Sequence, residues 1–238
     1  MHFYRALQPL RALSFDLDNT LYDNRPVIAR TEYESVRFLQ LYHPSLRDFG
    51  EDDYRRFRQE LHQCEPDISH DISHLRWRSI ELAMRNAGLS EHEAHVGADA
   101  AMEVVLRWRS QIDIPEKTHR TLAALSANWP LVAITNGNVS LETCGLSVYF
   151  QYILRAGPDG HAKPCQDMYL LAAELLNLPP RSILHVGDDL EADIIGAIRY
   201  GMQACWINNH GSNITADIDA RLLPHLEIPQ LTSLLALL

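Results

Sequence analysis

One stretch constrains this chain more than any other, a short apolar strand that runs straight into acid: Ala12-Leu13-Ser14-Phe15-Asp16-Leu17-Asp18-Asn19-Thr20-Leu21. Side chains alternate along a strand, so Asp16 and Asp18 can share one face while Leu17 takes the other. Two like charges at the end of a buried strand cost stability unless something uses them. A bound divalent cation would balance them. A phosphoryl substrate could then be attacked by one carboxylate and protonated by the other. Asp18 and Asn19 equally suit a plain turn after a strand.

Three later segments bear on that choice. Pro130-Leu-Val-Ala-Ile-Thr135-Asn136-Gly137 is a second apolar run ending in a hydroxyl and a turn dipeptide. Lys163-Pro164 precedes a pattern with Met168, Leu171, Ala172 and Leu175 on one helical face. Proline suits a first helical position, which places Lys163 just outside a helix N-terminus. Ser182-Ile-Leu-His-Val-Gly187-Asp188-Asp189-Leu-Glu-Ala-Asp193 is a strand, a glycine and an acidic cluster opening a helix. Asp189 alone would serve as an N-cap. Asp188 and Asp193 add more acid than capping requires.

The order DxD, Thr, Lys, GDDxxxD resembles the haloacid dehalogenase superfamily in its phosphatase branch. These motifs span residues 13–196, and the chain length of 238 residues fits. The resemblance implies that Asp16 is the nucleophile and Asp18 the general acid and base. Thr135, Asn136 and Lys163 would bind the phosphoryl group. Asp16, Asp18 and Asp188 would hold Mg²⁺, with Asp189 or Asp193 supporting the site. Asn19 stands where glycine or aspartate often follows the acidic pair, and asparagine tolerates the same turn.

Hydrophobic content of 46% is ample for a buried core. The formal charge of −10 argues against a nonspecific nucleic-acid binder, which needs a basic footprint. It leaves anionic small molecules open, because a local cation and Lys163 can override the global field. Cys64, Cys144, Cys165 and Cys205 are scattered without a CxxC, and read as reduced thiols. No signal-like run opens the chain, and no stretch approaches the roughly 20 apolar residues that span a bilayer. A cytoplasmic protein with no membrane partner is expected.

Strands are expected at about 11–16, 131–135, 151–155, 182–186 and 203–207, with helices at about 116–127, 139–147, 165–177 and 189–200. Strands alternating with helices imply an α/β doubly wound parallel sheet, Rossmann-like, with ligands at the carboxyl ends of its strands. The segment 22–111 lacks a convincing strand. It shows helical patterns at about 27–42, 52–63, 71–86 and 90–108. Gly88 suits a helix C-terminus, and Ser90 and Glu93 have capping-box spacing. Residues 1–21 and 112–238 would then form the core, and 22–111 an inserted all-helical domain. A mobile cap occupies that position in the resembled family. The C-terminal Leu231–Leu238 is expected to pack as a last helix.

His70 and His74 would share a helix face, without the further ligands a zinc site needs. Arg76, Trp77 and Arg78 form a basic-aromatic cluster suited either to an aromatic phosphorylated ligand or to the core of the helical segment. Trp108 and Arg109 carry the same two readings. The runs Phe15–Arg25 and Ala156-Gly-Pro…Lys163-Pro most resemble the bacterial branch acting on flavin-pathway phosphates. Its substrates include flavin mononucleotide and the phosphorylated ribitylaminouracil precursor of riboflavin. A phosphomutase would share all these groups. A haloacid dehalogenase would not need Asp18, Asp188 and Asp189. A receiver-type signalling module is typically much shorter and lacks the helical insert, and a nonenzymatic binding protein would not need Asp16.

Overall fold

The computed structural model describes residues 1–209, 211 and 222–238. They divide into two compact units. One comprises Met1–Asp23, Asp113–Gly137 and Cys144–Leu238. The other comprises Asn24–Ile112 and Asn138–Thr143.

The first unit is built on a sheet of seven strands among the described residues: β1 (His2–Phe3), β2 (Ala12–Phe15), β3 (Leu131–Thr135), β4 (Tyr152–Arg155), β5 (Ile183–Gly187), β6 (Gln203–Ile207) and β7 (Leu226–Ile228). Their order is β1-β7-β6-β5-β2-β3-β4. All pairings are parallel except β1 with β7. The chain builds outward from β2 through β3 to β4, then crosses to β5 on the other side of β2 and continues to β6 and β7. That reversal opens a crevice at the carboxyl end of β2, where open α/β sheets bind ligands. Strands β2, β3, β5 and β6 are fully buried, as expected for a parallel sheet covered on both faces. Ala12, Val132, Ile134, Met168, Tyr169, Ile194, Ala204 and Trp206 belong to one core cluster.

Around the sheet lie α5 (Glu116–Ser126) and α6 (Asp167–Leu175). Three sequence expectations need correction. Pro164 is not a first helical residue: the Lys163–Pro164 peptide is cis and sits in a turn, and the helix starts at Asp167. No α-helix forms over 139–147: residues 141–145 are turns, and a 3₁₀ helix, Ser147–Tyr149, follows. There the Ser140 hydroxyl accepts from the Thr143 N–H and competes with helical bonding. The expected helix at 189–200 opens as a π-helical turn, Leu190–Ile195, before a short α-helix, Gly196–Arg199. The C-terminal segment packs as a last helix, as expected, in 3₁₀ form over Leu231–Leu237 with Leu231 and Leu234 buried. Strands β1 and β7, at two and three residues, carry no period long enough to read.

The second unit contains α1 (Arg25–Tyr42), α2 (Glu51–Cys64), α3 (Ile72–Asn86) and α4 (Glu91–Arg109). The Ser90–Glu93 capping box starts the last of them. Gly88 adopts φ +93° just past α3, a conformation that favours glycine at a helix end. The core includes Leu39, Phe49, Phe57, Ile80, Met84, Ala98, Ala101 and Val105. His70 ends a 3₁₀ turn, Pro66–His70, whereas His74 lies in α3, so the pair does not share one helix. Arg109 is 1% exposed, with Nη1 donating to Asn24 at 2.8 Å and Nε to Asn138 at 3.3 Å. No described helix is long and apolar enough to cross a membrane.

Candidate active site

The crevice at the ends of β2, β3 and β5 holds a cavity of about 190 Å³ lined by Asp16, Asp18, Asn19, Asn136, Lys163, Asp188, Asp189, Ala192 and Asp193. Each lining residue comes from the sheet-containing unit. Asp16 follows β2 directly and keeps the pairing going, its N–H donating to the Val186 carbonyl at 2.9 Å. The backbone then turns. Asn19 adopts φ +61°, and Leu21 N–H donates to the Leu17 carbonyl at 2.9 Å. This turn brings Tyr22 back to Asp18, where the phenol donates to Oδ1 at 2.5 Å.

Lys163 is buried between two carboxylates. Its Nζ donates to Asp16 Oδ1 at 2.7 Å and to Asp193 Oδ1 at 2.6 Å. Asn136 clamps the Lys163 backbone from both sides, accepting from its N–H at 2.8 Å and donating to its carbonyl at 2.9 Å. Thr135 ends β3, and its hydroxyl accepts from the Gly137 N–H at 2.9 Å, which leaves the O–H proton to be donated elsewhere. Asp189 is an N-cap, accepting from the N–H groups of Glu191 and Ala192 at 2.9 and 2.7 Å. The sequence did not mark Thr20 or Trp206. Thr20 donates to Asp188 Oδ1 at 3.1 Å, and the Trp206 indole donates to the Asp188 carbonyl at 2.8 Å. Thr20 is 168 residues from Asp188, and Trp206 reaches it from the neighbouring strand β6.

The charges are arranged against one another. Burial pushes the Asp16 carboxyl well above its usual range; Lys163 pulls it back, and the Asp193 charge pushes it up again. Burial also works against charge on Lys163, yet Asp16 and Asp193 hold it firmly protonated. The Lys163 charge and the His185 hydrogen bond keep Asp193 ionised despite its burial. Asp188 is pushed up to about 6, by burial first and then by the Asp193 charge.

Oxygen atoms of Asp16, Asp188 and Asp193 lie within 4.8 Å of one another, a hard-oxygen set that fits a divalent cation such as Mg²⁺. Asp193 already uses both oxygens, Oδ1 for Lys163 and His185 and Oδ2 for the Asp189 N–H at 3.0 Å. Gly187 makes this possible. A Cβ there would overlap the Asp193 carboxylate, so the last residue of β5 has room only for hydrogen.

In the metal-free protein Asp188 sets a pH dependence. Its folded pKa of about 6 lies above the ordinary 3.8, so the folded state binds the proton more tightly. The stabilisation is complete at low pH and is lost as pH rises through about 6. The melting temperature in chelator is therefore expected to fall between pH 5 and pH 7, and Asp188→Asn to flatten that fall. Parallel melting curves for the two proteins across this range would rule the explanation out.

The family model for haloacid dehalogenase-like hydrolases matches residues 10–201. The chain belongs to that family. The 5-amino-6-(5-phospho-D-ribitylamino)uracil phosphatase YigB of Escherichia coli (strain K12) is 57% identical over the full length of both chains. The N-acylneuraminate-9-phosphatase of Rattus norvegicus is 29% identical across 98% of this chain and 95% of its own. A solved structure described as a 2-haloacid dehalogenase from Pseudomonas syringae pv. Tomato DC3000 superposes with a TM-score of 0.89. It is 34% identical and the match covers 95% of this chain and 97% of that one.

The remaining residues of interest lie in the helical unit. Arg78 is paired with Glu65 and Glu81. Trp77 donates to Asp99 at 2.7 Å. Arg76 is buried, 5% exposed, and its Nε and Nη1 groups have no hydrogen-bond partner among the described residues. Trp108 lies under the Arg30 guanidinium, 4.6 Å from the ring centre.

Proposed function

We propose that this hydrolase removes phosphate from 5-amino-6-(5-phospho-D-ribitylamino)uracil through an aspartyl-phosphate on Asp16. The observation that carries the chemistry is Lys163 held between Asp16 and Asp193 beside Asp188, in a cavity of about 190 Å³. The substrate is that of the relative 57% identical over its whole length. Flavin mononucleotide carries the same ribityl phosphate and is the second substrate to test.

Lys163 occupies Oδ1 of Asp16, so attack falls to the other carboxylate oxygen. The new bond joins Asp16 to phosphorus, and the bond from phosphorus to the ester oxygen breaks. Asp18 gives its proton to the leaving ribityl hydroxyl. Water then attacks the aspartyl-phosphate, Asp18 takes its proton, and inorganic phosphate leaves with Asp16 restored. Lys163 and the Thr135 hydroxyl neutralise and orient the phosphoryl oxygens. Asp16, Asp188 and the Asp18 backbone carbonyl would hold Mg²⁺, which when bound supplies positive charge against the phosphate.

The test is phosphate release by purified protein from a panel of phosphometabolites, with Mg²⁺ and with EDTA. Release from the ribitylaminouracil phosphate, abolished by EDTA and restored by Mg²⁺, is the expected result. The resemblance to a dehalogenase makes 2-chloropropionate the informative control. Halide release without phosphate release would overturn the proposal.

The helical segment 22–111 acts as the cap that selects the substrate, and Arg76 is the member of its basic cluster with unmatched donors. Trp77 and Arg78 are already engaged within the unit. Arg76→Ala is expected to lower kcat/KM for the ribityl phosphate by about tenfold to a hundredfold, the worth of a charged hydrogen bond. A generic aryl phosphate should be little affected. Equal losses on both substrates in a folded variant would leave Arg76 with a structural part only.

A further inference from the structure

One buried group near the site has no part in the chemistry above. His185 lies in the middle of β5 at 0% exposure, and Ser14, its register partner in β2, is equally buried. Ser14 Oγ and His185 Nδ1 are 2.9 Å apart, and His185 Nε2 is 3.2 Å from Asp193 Oδ1. The Tyr169 ring packs edge-on against the imidazole, centroids 5.3 Å apart at 87°. The Tyr169 hydroxyl donates to the Ala192 carbonyl, one residue before Asp193.

The neighbours determine the proton positions. Asp193 is ionised by its contact with Lys163 and can only accept. His185 Nε2 must therefore carry a hydrogen. Burial opposes a charged ring, and the Lys163 charge opposes it further, which leaves Nδ1 bare. Ser14 then donates to Nδ1. The opposite neutral tautomer would aim a lone pair at a carboxylate. The resulting chain runs Ser14, His185, Asp193, Lys163, Asp16, with a donor facing an acceptor at each link.

We propose that His185, fixed by Ser14, is a positioning residue for phosphoryl transfer. It holds Asp193 as the counter-ion of Lys163, which keeps the ammonium aimed at Asp16 and keeps Asp193 from competing with Asp188 for a cation. The inference rests on the reading of Asp16 as nucleophile and Lys163 as phosphoryl ligand. Loss of the Nε2 donor frees Asp193 Oδ1 to turn, and Lys163 loses alignment. Because that alignment matters most when charge develops on the phosphoryl group, kcat should suffer more than KM.

Three substitutions separate this role from simple packing. His185→Phe keeps the ring and removes both nitrogens. His185→Asn puts an amide near the Nδ1 position, within reach of Ser14 alone. His185→Gln extends a donor towards the Nε2 position and Asp193. With Mg²⁺ and p-nitrophenyl phosphate, Phe and Asn variants that melt like the wild type are expected to lose about 10–100-fold in kcat, the usual effect of removing a group that orients a ligand. Their KM should change by less than about threefold, and Gln should recover most of the loss. Should Phe fail to fold, the Gln and Asn pair carries the comparison. Equal kcat in all folded variants would overturn the proposal.

A second readout needs no turnover. In a long-range ¹H–¹⁵N spectrum of the wild type, His185 should show a protonated Nε2 and a bare Nδ1, and Ser14→Ala should perturb the Nδ1 signal. A protonated Nδ1 in the wild type would overturn the assignment. A wild type that shows this tautomer yet releases no phosphate from any ester would instead sink the phosphatase reading and leave the hydrogen-bond chain standing.

Discussion

Asp16→Asn is expected to cut phosphate release by about ten-thousandfold or more while the protein stays folded. The amide keeps the shape of the carboxylate and can still accept from Lys163, but it cannot attack phosphorus. Stability should move the other way. Burial and the Asp193 charge make an ionised Asp16 costly in the metal-free protein, against the pull of Lys163. The variant is therefore expected to melt at or slightly above the wild-type temperature at neutral pH in chelator. Phosphate release and melting are measured on the same preparation. Near-wild-type release would remove Asp16 as nucleophile; a large drop in melting temperature would mean that the carboxylate holds the fold together.

Lys163→Met should be the most damaging change to both activity and stability. The side chain is 1% exposed and ends between two carboxylates. Breaking one partner out of a buried ion group costs about 3–5 kcal/mol, or roughly 6–20 °C in melting temperature for a chain of this size. The loss should depend on pH. Without the ammonium, the folded pKa of Asp193 rises, so the variant folds best where that carboxyl is protonated and loses stability as pH rises through the new value. The gap between wild type and variant should widen from pH 5 to pH 8. Activity should fall about 100-fold or more, as when a fixed donor to developing negative charge is removed. A constant gap across that range would show that Lys163 matters by packing and not by charge.

The same residues mark where sequence reading works and where it stops. Strands β2, β3, β4, β5 and β6 were legible because a parallel sheet covered on both faces needs apolar runs bounded by turns. The four long helices of 22–111 were legible through their period, and the last through its Ser90–Glu93 box. Residues 139–147 misled because Val139 and Leu146, seven apart, are buried as on one helix face while the Ser140 hydroxyl holds the backbone in a turn. Asp16, Asp188, Asp193 and Lys163 were visible as charges beside apolar runs. Their pairing was not: Lys163 Nζ bridges Asp16 and Asp193, residues 147 and 30 positions away. His185 and Ser14 gave one faint signal, a polar residue inside each apolar strand. Arg109 carried two readings, ligand contact or helical core, and its burial against Asn24 could not be read because that partner is 85 residues away.

The grouping of Asn138–Thr143 with the helices has a consequence for anyone seeking a minimal catalytic fragment. Joining Asp23 to Asp113 would excise the helical insert in one cut. It would also strip these six residues of their surroundings: Asn138 donates to Ser73 and accepts from Arg109, and the Ser140 N–H donates to Ser110. Asn138 follows Gly137, whose N–H is held by Thr135. A single-cut deletion therefore leaves a frayed loop attached directly to the end of β3, next to the Thr135 hydroxyl. A working fragment needs a second graft, a short turn in place of 138–143, so that β3 ends in a closed loop.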